Sequence, residues 1–125
     1  MKRRIEVSQL QELTDEQKQK LQDWWFTELG DYMTDFSTED DGRHFVGICK
    51  YIKPQSENET VGYPLLDIAQ MIDLLELSKP TLHIDKHLPT GIEKKTMYEV
   101  FQQGAGTHWG ETLCDALWEA VKKIL

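Results

Sequence analysis

Apolar and polar residues recur along this chain in two rhythms, and the change between them marks out its elements. Residues 110–125, GETLCDALWEAVKKIL, carry the strongest signal. Leu113, Leu117, Ala120, Val121 and Ile124 repeat at helical spacing, and Cys114, Ala116 and Trp118 widen the stripe. Glu111 and Asp115 lie toward its start and Lys122 and Lys123 near its end, which suits the helix dipole. A helix this apolar requires a sheet or other helices to cover it.

An earlier helix is announced by Thr14 as N-cap, Gln17 at the capping-box position and Gly30 as a terminator. Its buried stripe is expected to be Leu21, Trp24, Trp25 and Leu29. A further helix is expected from Pro64, a first-turn residue, to just before Pro80, with Leu65, Ile68, Met71, Ile72 and Leu75 facing the core. Period-two alternation predicts an edge strand around Ile5 and Val7. It also predicts a hairpin of 32–36 with 45–52 around an acidic turn at 37–42. In its second strand Val46, Ile48 and Ile52 form one face and Phe45, Cys49 and Tyr51 the other, as in a central strand. Two more strands follow at 82–88 and 96–101. Residues 102–110 then read as a glycine-rich connection into the last helix.

The expected fold is therefore α+β, a single two-layer domain spanning residues 1–125. Three helices pack on a mostly antiparallel sheet of about four strands, in the order β-α-β-β-α-β-β-α.

Composition narrows the functional classes. With 14 Lys and Arg against 22 Asp and Glu, the net charge of −8 opposes binding to nucleic acid by phosphate neutralisation. No apolar run reaches the roughly 20 residues of a membrane span. None follows the basic Lys2, Arg3 and Arg4 as in a secretory leader, so a cytoplasmic protein is expected. Cys49 and Cys114 sit in apolar contexts and are expected to be reduced packing residues.

Four stretches are candidates for function. Trp24, Trp25 and Phe26 sweep about 200° of helix circumference, so they cannot share one narrow groove. Two are then core and one packs on the next loop, or they form a partner-binding aromatic patch. Six acids and no base lie between positions 28 and 41. There Asp35, Glu39, Asp40 and Asp41 either keep the chain soluble or engage a basic partner in place of a nucleic acid. The run is not an EF-hand, because aligning Gly42 with the sixth position places Ile48 where the bidentate glutamate must stand.

The third stretch is HIDKH, with His83, Asp85 and His87 on one side of a strand, about 6.6 Å apart in successive pairs. That set could hold a metal or an acid–base pair, but it supplies too few local ligands for a closed site. The fourth is the glycine-rich run of Gly104, Gly106, Thr107, His108, Trp109 and Gly110. Where a strand meets a helix, backbone N–H groups can receive a phosphate or carboxylate, and these residues are the expected ligand site. The spacing fits neither the dinucleotide fingerprint nor the P-loop. No common catalytic signature is present, and no catalytic residue, metal or cofactor is assigned.

Three segments, LTDEQKQKLQDWW with the following Gly30 and Asp31, YPLLDIAQMIDLL and CDALWEAVKKIL, resemble a family of small uncharacterised phage and prophage proteins of Bacillus-like bacteria. They cover about a third of the chain, in the same order. The resemblance implies a small accessory protein of the host cytoplasm and carries over no functional residue. The leading expectation is a non-enzymatic binder that modulates or sequesters a host component. Narrower versions are an acidic nucleic-acid mimic that inhibits a host protein, or a sponge for a phosphorylated small molecule. A small hydrolase or metal enzyme using the histidines is the third expectation.

Overall fold

Three helices open on the same local device, a glutamine that reaches back to the backbone three residues before it. In the computed structural model of the protein, residues 1–25, 30–48, 62–78, 81–90, 95–104 and 106–125 are described. Helix α1 (Val7–Leu10) begins where the Glu6 N–H donates to Gln9 Oε1 at 3.0 Å. Helix α2 (Asp15–Trp24) begins where the Thr14 N–H donates to Gln17 Oε1 at 2.9 Å and Thr14 Oγ1 accepts from the Gln17 N–H at 3.2 Å. Helix α3 (Ile68–Ser78) repeats the pattern with Asp67 and Gln70, at 3.0 and 2.8 Å. Each exchange satisfies backbone donors that a helix start otherwise leaves open. Helix α4 (Leu113–Ile124) is capped instead by Thr112, whose hydroxyl accepts from the Asp115 N–H at 3.0 Å.

The chain divides into two compact units. One, residues 6–65, contains α1, α2 and an antiparallel sheet of β1 (Tyr32–Thr34), β2 (Gly47–Ile48) and β3 (Tyr63–Pro64) in the order β2-β1-β3. Met33 and Thr34 of the central strand are buried. The Thr34 hydroxyl donates to the Phe45 carbonyl at 2.6 Å. Gly62 adopts φ +139°, and a Cβ there would meet Met33 Cε at 2.6 Å and the Thr34 carbonyl at 2.7 Å, so glycine is required on both counts.

The other unit joins residues 1–5 to residues 66–125. Arg3 and Ile5 bond the backbone on either side of Asp67, with Ile5 N to Leu66 O at 3.0 Å and Ile68 N to Arg3 O at 3.1 Å. Lys2 reaches Asp115 at 2.7 Å. Strands β4 (Leu82–His87), β5 (Met97–Gln102) and β6 (Gly106–Gly110) form an antiparallel sheet in that order. Helix α4 packs on β5, β6 and α3. Cys114, Ala116, Leu117, Trp118, Ala120 and Val121 are fully buried with Val100 of β5 and Met71 and Leu75 of α3. Buried Gln102 donates to the Leu75 carbonyl at 2.6 Å, serving one of the open carbonyls in the last turn of α3.

The mixed α+β class holds, but its arrangement differs from the sequence expectation. Among the described residues there are four helices, not three, and two three-stranded sheets instead of one sheet of about four. Val7 belongs to α1, not to a strand, because Glu6 and Gln9 nucleate a turn there. Pro64 lies in β3, where an edge position tolerates its missing N–H, and the helix starts later, after Asp67. Strand β2 is an outer strand with Val46 and Ile48 exposed, and β1 is the central one. Residues 106–110 are a strand, not a connection. The expectations for Phe26, Leu29, Cys49, Tyr51 and Ile52 fall outside the described residues.

Candidate functional site

Strand pairing sorts the β4-β5-β6 sheet into two faces. Ile84, Val100 and His108 stand in one cross-strand row, and Val100 turns that face toward the buried core. The opposite face is open. It holds the row His83–Phe101–Thr107 and, beside it, the row Asp85–Glu99–Trp109, with His87 opposite Met97 beyond. Phe101 and Trp109 are 39% and 47% exposed, unusual for side chains whose burial would be strongly favourable.

Ring contacts hold part of this face in place. His87 lies 5.0 Å from Trp109 between ring centroids, and its Nε2 is 3.1 Å from Glu99 Oε2. His83 and Phe101 are 6.2 Å apart. An open groove of about 630 Å3 borders the face, lined in part by Leu88, Met97 and Trp109 together with Lys86, His87 and Lys95. Lys95 pairs with Glu111 at 2.8 Å.

The structure thus keeps His83, Asp85 and His87 on one exposed strand face, as their spacing requires. Among the described residues, no group of three or more His, Cys, Asp or Glu is placed to hold a metal ion. Glu99, Phe101 and Met97 complete the face and were not singled out from sequence. Their signal was the alternation in MYEVFQ, visible only once the facing strand and register are known.

The glycine-rich run is placed differently from the expected ligand loop. Gly104 (φ 90°) and Gly106 (φ 82°) shape the turn from β5 into β6. Thr107, His108 and Trp109 are strand residues. Only Gly110 reaches the start of α4, and a Cβ there would meet Ala116 N at 2.5 Å. The Thr112 hydroxyl and carbonyl already accept from the Asp115 and Ala116 N–H groups.

The acidic turn of residues 37–43 is closed by its own hydrogen bonds. Phe45 N donates to Ser37 O at 2.8 Å and Glu39 N to Arg43 O at 2.8 Å. Hydrogen bonds from the Ser37 hydroxyl and N–H hold the Asp35 carboxyl below the usual aspartate range. The Arg43 N–H and guanidinium do the same for Asp41. Asp35, Glu39, Asp40 and Asp41 all face solvent. Of the aromatic trio, Trp24 and Trp25 are half-buried, and the Trp25 indole N–H donates to Asp31 at 2.9 Å.

No helix among the described residues is long and apolar enough to cross a membrane. Comparison of the chain with protein families, curated proteins and solved structures gives no match.

Proposed function

We propose that this chain is a non-enzymatic accessory protein, of phage or prophage origin, that binds a basic protein of the host and so modulates or sequesters it. One observation carries the reading, the segregation of charge. Residues 6–65 hold thirteen acidic against five basic side chains, whereas residues 1–5 and 66–125 hold nine of each. The whole net charge of −8 therefore belongs to one unit. A predominantly acidic surface raises the encounter rate with an oppositely charged partner and disfavours like-charged ones. Exposed Asp35, Glu39, Asp40 and Asp41 contribute to it, and the narrower version is an imitation of a nucleic-acid backbone. The phage origin rests on the three resembling segments alone.

The test is a titration of the whole protein against basic nucleic-acid-binding proteins of a Bacillus-like host, from low to high salt. Affinity should fall about tenfold or more between roughly 50 and 500 mM salt. It should fall similarly when Asp35, Glu39, Asp40 and Asp41 are replaced together by their amides. A partner whose binding ignores both changes would remove the electrostatic reading.

A further inference from the structure

We infer that the open face of the β4-β5-β6 sheet is a receptor for an arginine side chain presented by a protein partner. Asp85 and Glu99 are direct cross-strand neighbours on that face. Two carboxylates so placed, about 4.5–5.5 Å apart at Cβ, repel each other and weaken the sheet unless a cation serves both. His87 meets Glu99 at 3.1 Å, while Asp85 lies in the next column position and faces solvent. Trp109 closes the same row on the other side of Glu99.

A planar cation flanked by carboxylates and an indole matches a guanidinium better than an ammonium. Arginine can bond carboxylate oxygens through its rigid fork while its plane stacks on an aromatic ring. Trp109 and Phe101 provide exposed rings, and the His87 contact limits the motion that Trp109 would lose on binding. Nearby bases do not occupy the row. Lys86 and Lys95 border the groove, but Lys86 alternates away from the row, with its ammonium 5.9 Å over the Tyr98 ring, and Lys95 is held by Glu111. This surface belongs to the unit with balanced charge, so the inference stands apart from the acidic surface of residues 6–65 and does not need it.

The experiment uses the full chain and a short peptide carrying one arginine between glycines, with lysine and citrulline counterparts. Binding is read by NMR at the Trp109 indole N–H, or at backbone amides of β5 in variants lacking that tryptophan. The arginine peptide should give saturable shifts, the lysine peptide should bind about fivefold more weakly, and citrulline should give none. Asp85→Asn and Trp109→Ala should each weaken arginine binding about tenfold. Trp109→Tyr, which keeps a ring and guards against loss of the sheet, should stay within about threefold. Replacing Glu16, an exposed residue of the first turn of α2, by glutamine should leave the affinity unchanged. No saturable shift, equal affinity for arginine and lysine, or retention of binding by Trp109→Ala would each overturn the inference.

Discussion

Gly110 and Ala116 approach so closely that a Cβ on the glycine would lie 2.5 Å from the alanine backbone nitrogen. The same Cβ would lie 3.0 Å from the Thr112 carbonyl oxygen, which accepts the first helical bond of α4. The last residue of β6 is thereby pressed against the first turn of the helix. Gly110→Ala should destabilise the protein by about 1–3 kcal/mol, because neither backbone can yield without disturbing the cap. Gly106 provides the contrast, since nothing lies within 4 Å of its Cβ position and only its φ of 82° resists a side chain. Gly106→Ala should cost about 1–2 kcal/mol, and from backbone strain alone. Urea midpoints with ordered crystal structures of both variants would check this, and an unmoved α4 start in Gly110→Ala would contradict it.

Leu117 and Trp118 are both fully buried, yet their substitutions should differ. Leu117→Ala leaves a cavity and should cost about 2–5 kcal/mol. Trp118 buries an indole N–H with no hydrogen-bond partner among the described residues. Trp118→Phe loses volume but also removes that unsatisfied donor, so its cost should stay below about 1.5 kcal/mol. Thermal or urea denaturation decides the order, and a larger loss for Trp118→Phe would show that the indole is satisfied.

Replacing Thr14 or Asp67 by alanine should each cost about 1 kcal/mol, the usual effect of losing an N-cap. Backbone amide exchange should quicken in the first turn of α2 for the first variant and of α3 for the second. Unchanged exchange at Gln17 and Gln70 would mean that the caps do not hold these turns.

The sequence displayed the Thr14–Gln17 cap and concealed the Asp67–Gln70 cap behind a stronger local cue, Pro64. Proline suits a helix start and an edge strand equally, and only pairing with Met33 resolves which applies. The α4 stripe was legible because one helix face carries nearly all of its burial. The β6 strand was not, because Gly104, Gly106 and Gly110 mimic a connector by composition while serving a turn and a close approach by geometry. The histidine face was half legible. Its β4 column follows from spacing within one strand, but Glu99, Phe101 and Trp109 join it only through the register of neighbouring strands.

Asp35 and Asp41 set an acid-limb expectation. Both carboxyls are held below the ordinary value of 3.8 by hydrogen bonds of the folded turn. A depressed folded pKa contributes stability above the unfolded value, and that contribution disappears as pH falls through the folded one. The contribution is small, since both groups are exposed. Replacing both residues by asparagine should therefore cost more at neutral pH than well below pH 3.8, where the difference should narrow. A stability difference that stayed constant across that range would show that the two bonds do not discriminate between protonation states.

Residues 1–5 bond to the backbone around Asp67, and Lys2 reaches across 113 positions to Asp115. During synthesis, all of residues 6–65 are made before Leu66, Ile68 and Asp115, the partners of residues 1–5. The charge-bearing unit can complete its own contacts early, while the opening segment waits for α3 and α4. Closing a loop this long is slow compared with forming a local helix. Residues 1–5 are made before residues 6–65, yet they are placed only once residues 66–68 and 115 are there to receive them.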